Sequence, residues 1–230
     1  VDLSQSIYLT SNFGWAGALI GGLLFGFGMT LTGGCGNKTL VRLGAGNLKS
    51  LVVAIFLGIF AYMTLRGLIG LARMEIEGLA NIDLTAAGLE TQGIPDLLAA
   101  AGLSQEIVRF FAITVFAGGP LWFCFKSAEF RRSKLDVAAG LVIGTLVPVA
   151  WFITGVLGHD EFEPVPLSAL TFVAPVGESL QYLLTFTGSA INFGVAEVGG
   201  VIAGSFIMAK ASGQFRVESF PDATDMVRHM

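Results

Sequence analysis

Charge is scarce in this chain: Asp, Glu, Lys and Arg make up 13% of its 230 residues, against about 25% in soluble domains. So few charges cannot cover a water-facing surface of this size, which excludes an ordinary soluble fold. The 13 Lys and Arg are outnumbered by 17 Asp and Glu, for a net charge of −4. No basic stripe is left to neutralise phosphates, and a nucleic-acid partner is excluded on that ground. Cysteine is limited to Cys35 and Cys124, with no C-x-x-C spacing, so neither a disulfide framework nor a structural zinc site is expected. No metal and no cofactor is expected. The start at Val1 carries neither a basic n-region nor a small-residue cleavage site, and reads as the interior of a longer chain rather than a signal peptide.

What the chain has in abundance is apolar surface. Hydrophobic residues make up 53% of the sequence and the mean hydropathy is +0.74. Five runs are long enough to cross a ~30 Å hydrocarbon layer as helices: Phe13 to Thr32, Leu51 to Leu71, Ile107 to Phe125, Val137 to Leu157, and Phe193 to Ala209. Pro175 to Phe186, carrying Glu178 and Gln181, is too short at ~1.5 Å per residue to cross. It reads as a re-entrant half-helix. The fold class is therefore an all-α polytopic membrane protein, with residues 1–230 read as a single transmembrane domain, expected to be partial.

Loop charge orients the spans. The connection Lys126 to Lys134 and the residues Lys38, Arg42 and Lys49 are basic and belong inside, whereas Glu75 to Glu106 and His159 to Glu163 are acidic and belong outside. Residues 72–106 read as an extracytoplasmic loop with a short interfacial helix opened by Pro95 and closed by Gly102. Residues 211–230 turn polar and read as a tail or a linker to a further span, with a helix start at Phe220 to Asp225.

The densest chemistry sits in Gly33-Gly34-Cys35-Gly36-Asn37-Lys38-Thr39-Leu40-Val41-Arg42, directly after the first span. Glycines let the backbone leave helical geometry, and a break at membrane depth is tolerated only where protein or a cavity satisfies it. A helix starting near Asn37 aims its positive dipole end and free N–H groups at the break, which suits an anion. Lys38 and Arg42 then share one face, either toward a solute or as interfacial anchors. Cys35, between two glycines, is either a solute contact or a small packing residue. A second break, Thr187 to Asn192, is of the same kind, and paired breaks are the pattern of carriers with discontinuous helices. Glu178 reads as a proton-coupling group or a partner for Arg42 or Lys38, unless its segment simply lies at the surface. Glu197 is the most deeply placed charge and reads as having a cavity or ion-pair role, with snorkelling as the alternative. Cys124, in an aromatic run, reads as packing, and His159 as a solvated loop residue.

The stretch Gly33 to Val53 resembles the YeeE/YedE family of inner-membrane sulfur-compound transporters, as do Ala174 to Leu180, Thr187 to Ala196 and Gly213 to Arg216. The resemblance implies a permease for thiosulfate or a related small sulfur anion, passed along cysteine-bearing broken helices. The pathway residues it implies are Gly34, Cys35, Gly36, Asn37, Lys38, Thr39, Arg42, Glu178, Asn192 and Glu197. That family carries an earlier Phe-Cys and a later Gly-Cys-Thr motif, and here the central cysteine stands alone, as expected of a fragment. A neutral thiol could donate to the terminal sulfur of the anion while N–H groups hold its oxygens. Two other readings stay open: a membrane sulfurtransferase that forms a persulfide on Cys35, and a structural subunit of a larger transporter. The first lacks an obvious resolving thiol or catalytic histidine beside Cys35. A soluble sulfur-carrier protein at Lys126 to Lys134 is a candidate partner, alongside the bilayer itself.

Overall fold

The computed structural model describes residues 3, 6–99, 102, 104–158, 166–220 and 222. His159 to Glu163, Pro221 and 223–230 therefore lie outside the described residues, and with them the whole of that acidic loop and most of the expected terminal helix start. In chain order the elements are β1 (Asn12–Phe13), α1 (Trp15–Thr32), α2 (Gly36–Gly44), α3 (Leu48–Arg66), α4 (Leu68–Ala80), β2 (Ile82–Asp83), α5 (Ile94–Ala99), α6 (Gln105–Ile113), α7 (Gly119–Lys126), α8 (Ala128–Arg132), α9 (Lys134–Phe152), α10 (Val173–Leu184) and α11 (Phe193–Ala211). Segments long and apolar enough to cross a membrane run over Trp15–Gly44, Leu48–Arg66, Glu106–Lys126, Lys134–Leu157 and Phe193–Ala211. Their outer faces carry large apolar side chains such as Leu23, Leu24, Phe27 and Leu31, all well exposed. In water this would be untenable; in hydrocarbon it costs nothing. The protein is an all-α polytopic membrane protein.

The backbone clusters into two compact units. The first holds residues 1–14 and 81–169. There β1 pairs antiparallel with β2, and Asp83 accepts hydrogen bonds from the Thr85 N–H at 2.9 Å and hydroxyl at 2.6 Å, which hold its carboxyl below the ordinary value. The expected third span is α6 and α7 joined by a π-turn at Thr114–Gly118. Pro120 follows that turn without an N–H to continue the ladder, which accounts for the widened hydrogen bonding there. In the fourth span Pro148 lies inside α9 and a second π-turn follows at Ile153–Leu157. The Thr154 hydroxyl, 2% exposed, lies 2.9 Å from the Ala150 carbonyl and 3.0 Å from that of Ser168, tying the next segment to this helix. Lys126 sits 5.0 Å over the Trp122 ring.

The second unit, residues 15–80 and 170–230, holds the discontinuous helices. One expectation is corrected here: the second span does not run from Leu51 to Leu71 but covers Leu48–Arg66, and a separate helix, α4, follows at Leu68–Ala80. At Gly67 the backbone leaves helical geometry, φ −109° and ψ −159°, and a Cβ there would lie 2.8 Å from the Met63 Cα. Arg73 on α4 then donates to the Thr64 carbonyl at 3.2 Å and pairs with Glu77 at 2.8 Å. A carbonyl freed by the break is thereby satisfied, which a hydropathy run cannot register.

The core of this unit is Leu40, Val176 and Val198, one residue each from α2, α10 and α11, with Leu57 and Phe172 against it. Glycines set the approach distances. A Cβ on Gly44 would lie 1.8 Å from the Ser205 hydroxyl and 2.5 Å from the Ile202 carbonyl, and one on Gly58 would lie 3.1 Å from the Val176 carbonyl. Residues 214–218 return to the α2–α3 turn, where the Leu48 N–H donates to the Glu218 carbonyl at 2.8 Å and the Arg216 N–H to the Ala45 carbonyl at 3.3 Å. The expected polar tail is thus docked along its described part. Gly44→Ala should lower the thermal unfolding midpoint of the full-length protein in detergent, by about 1–3 kcal/mol of overpacking. Gly204→Ala, whose methyl would meet nothing within 4 Å, should not; equal effects would refute the packing account.

Candidate functional site

Helix α1 ends in a Schellman arrangement. Gly33 takes φ +68° and the Gly34 N–H donates to the Met29 carbonyl at 3.2 Å, as such caps require. The Thr32 hydroxyl adds contacts of 3.0 Å to both Gly28 and Gly34 carbonyls. Lys38 folds back and donates its ammonium to the Gly33 carbonyl at 2.9 Å, its stem lying over Gly34. A cation thus sits at the negative end of α1. On the carbonyl side of the break, Gly28, Met29, Gly33 and Gly34 are satisfied.

The N–H side is not. Cys35 is the N-cap of α2 in extended geometry, with no side-chain capping bond. The Thr39 N–H and hydroxyl both donate to the Cys35 carbonyl at 3.1 Å. The N–H groups of Gly36, Asn37 and Lys38 find no acceptor among the described residues. Cys35, half-buried, lines a cleft of ≈ 290 Å³ with Gly34, Gly36, Thr32 and Thr39 on its polar side and Phe25, Met29, Phe56 and Phe60 among its apolar walls. That volume is at the lower end of ligand pockets.

The start of α10 meets this break. A Cβ on Gly36 would lie 3.2 Å from Leu57, 3.5 Å from the Phe172 Cβ and 3.9 Å from the Phe172 backbone, and Phe172 is the N-cap of α10. From that point α2 leads to the turn before Leu48, while α10 follows α3 toward Arg66, Gly177 lying against Gly58 and Tyr62. Two half-helices therefore diverge from one place with their N-terminal ends together. Thr171, just before the cap, donates its N–H to Glu197 on α11 at 3.4 Å.

The second break forms a different site. Asn192 caps α11, accepting from the Val195 N–H at 2.8 Å, and its amide donates to the Glu178 carboxylate at 2.7 Å. These two line a polar cleft of ≈ 270 Å³ with Tyr62, Arg66, Gln181, Tyr182 and Ser189. Of the expected residues, Gly34, Cys35, Gly36 and Thr39 come together at one cleft, and Glu178 and Asn192 at the other. Glu197 stands behind Phe172. Asn37, Lys38 and Arg42 line neither, and Arg42 is exposed in the last turn of α2. Of the readings open for Glu178, pairing with Lys38 or Arg42 is not what the structure shows: its carboxylate accepts from Asn192, Lys38 is engaged at the Gly33 carbonyl and Arg42 is exposed. Tyr62, Arg66 and Tyr182 went unforeseen; the signal available was an arginine closing an apolar run just before Gly67.

If Lys38 serves the break, Lys38→Met should speed labelling of Cys35 by a small water-soluble maleimide several-fold in the full-length protein, whereas Arg42→Met should leave the rate unchanged. Equal rates for wild type and Lys38→Met would show that the break holds its shape without the ammonium.

The sequence pattern described as sulphur transport matches residues 2–230. The chain is 30% identical over 227 residues to the thiosulfate transporter TsuA of Escherichia coli K12, covering 92% of this chain and 60% of that protein. To the thiosulfate transporter TsuA of Spirochaeta thermophila it is 26% identical over 205 residues, covering 87% of this chain and 58% of that protein. The chain thus spans about six-tenths of the length of these relatives. With the family pattern running through the breaks at Cys35 and Asn192, the chain belongs to the sulphur transport (YeeE/YedE) family.

Proposed function

We propose that this protein is a membrane permease, not an enzyme, that takes up thiosulfate or a related small sulfur anion across the inner membrane, with the Cys35 cleft as a station on the path. One observation carries the reading: two half-helix N-termini meet beside a free thiol, at Gly36 and Phe172. The α2 terminus presents the unsatisfied N–H groups of Gly36, Asn37 and Lys38, and both helix starts bring a partial positive charge, together a seat for an anion without a fixed counter-ion. A seat made of dipoles rather than guanidinium forks holds an anion loosely enough to release it, which a carrier needs. The apolar walls on Phe25, Met29, Phe56 and Phe60 remove competing water, and a protonated Cys35 offers a weak donor suited to a terminal sulfur. The two TsuA relatives are named for thiosulfate, which is the substrate favoured here. The polar cleft at Glu178 and Asn192, with Arg66, is assigned to the same path at the other end of α3. The basic connection Lys126 to Lys134 is the proposed docking place for a soluble sulfur-carrier protein at the cytoplasmic face.

In cells that depend on thiosulfate for sulfur, Cys35→Ala in the full-length protein should abolish growth while membrane insertion stays intact, because the change removes a sulfur contact and little volume. Cys35→Ser keeps a donor that is harder and shorter, and should restore growth weakly or not at all. Normal growth of the alanine variant would sink this role for the thiol.

A further inference from the structure

Glu197 has no task in the path as described, and its surroundings are unusual for a carboxylate. It lies in the first turns of α11, where Oε2 receives one long bond from the Thr171 N–H at 3.4 Å. Its other oxygen, Oε1, is buried with no hydrogen-bond partner among the described residues. The charged and titratable groups on the elements around it are engaged or placed elsewhere. Lys38 is bound to the Gly33 carbonyl, Arg42 is exposed in the last turn of α2, and Cys35 faces its cleft. On α3, Lys49 lies at the start, while Tyr62 and Arg66 line the polar cleft with Tyr182 of α10. Glu178 is held by Asn192, and Lys210 lies in the last turn of α11. Among the described residues none of these forms an ion pair with Glu197, and no set of three carboxylate, thiol or imidazole groups could hold a metal ion.

An ionised carboxylate in this position is costly, and a proton is the smallest species that relieves it. The carboxylate is also placed to sense an anion. Thr171, its hydrogen-bond donor, directly precedes the Phe172 cap that abuts Gly36, so an anion seated between the two half-helices lies close by. Negative charge there disfavours the ionised form of Glu197 and draws a proton onto it. By reciprocity the proton favours the anion by the same factor.

We propose that Glu197 carries the proton that accompanies each sulfur anion through the protein. The inference rests on the permease reading and adds the driving ion to it. The balance is one proton taken from the outer solution onto a carboxylate oxygen as the anion enters, and the same proton released inside when the anion leaves. Glu197 then returns empty.

The test uses the full-length protein in liposomes with the membrane potential clamped by potassium and valinomycin, and radiolabelled thiosulfate as the probe. With the interior one pH unit more alkaline, wild type should concentrate thiosulfate toward a limit of about tenfold for one proton per anion, and a protonophore should collapse that excess. Glu197→Gln should still equilibrate and exchange thiosulfate but should not concentrate it. A purely structural role would instead depress equilibration as well. Wild-type accumulation that ignores the pH gradient, or that follows a sodium gradient instead, overturns the proposal even if the variant does not fold. So does undiminished gradient-driven accumulation by Glu197→Gln. Absence of any thiosulfate entry into wild-type liposomes overturns the permease reading itself, an outcome distinct from entry without proton coupling.

Discussion

The constraint on which the second unit depends is the fate of backbone hydrogen-bonding groups where helices break in a medium without water. Each helix end frees a set of N–H or C=O groups, and hydrocarbon offers them nothing. At Gly33 the carbonyl end is closed by local means: a left-handed glycine, two uses of the Thr32 hydroxyl, and the Lys38 ammonium. At Gly67 the Thr64 carbonyl is closed from α4 by Arg73. Lys38, which a charge count offers as an interfacial anchor, is spent on a helix-end carbonyl instead. What remains open is the donor end of α2.

Holding that open end in place is the work of close packing. The α2 helix is nine residues long and could not stand alone in water or in lipid. It is pinned at its far end by the bare backbone of Gly44 against Ser205 and at its start by Gly36 against Leu57 and Phe172. The returning segment at Arg216 and Glu218 bonds to the turn that follows it. Between membrane helices the hydrophobic effect gives no net attraction, so small residues that let backbones meet supply the association through dispersion. The glycines that break the helices and those that pack them therefore serve one end. Together they keep unsatisfied donors aimed at a fixed point.

Much of this was legible in the sequence, for definable reasons. Phe13 to Thr32 and Phe193 to Ala209 carry enough uninterrupted apolar residues that only a spanning helix accommodates them, and the structure has helices at Trp15–Thr32 and Phe193–Ala211; Pro175 to Phe186 was visible as a short helical piece, found at Val173–Leu184. The break at Gly33 announced itself through three glycines around a thiol. Pairings between distant segments were not legible. Lys38 and Arg42 share a helical face by spacing, yet one reaches back five residues and the other stays at the surface. The residue that abuts the Cys35 break is Phe172, just before the half-helix, rather than one from the more conspicuous Thr187 to Asn192 after it. Hydropathy separates water from everything else; it does not separate lipid from protein. The choice of neighbour therefore needed the fold.

The two breaks also show why similar backbone geometry does not make equivalent sites. Cys35 and Asn192 cap their helices at nearly the same angles, φ −84° and ψ 174° against φ −96° and ψ 174°. Asn192 turns its amide oxygen onto the Val195 N–H and its amide nitrogen onto Glu178, so the start of α11 is answered by its own residue and by a carboxylate. Cys35 can do neither, because a thiol is a poor acceptor and too weak to compete for backbone donors. Its helix start stays unanswered, and an anion gains there what no side chain of the protein supplies. Replacing a good capping residue by a poor one gives up about 1 kcal/mol of helix stability, a modest cost for leaving the donors free. In the Cys35 break, the same thiol that leaves the helix uncapped is the group that faces the cleft.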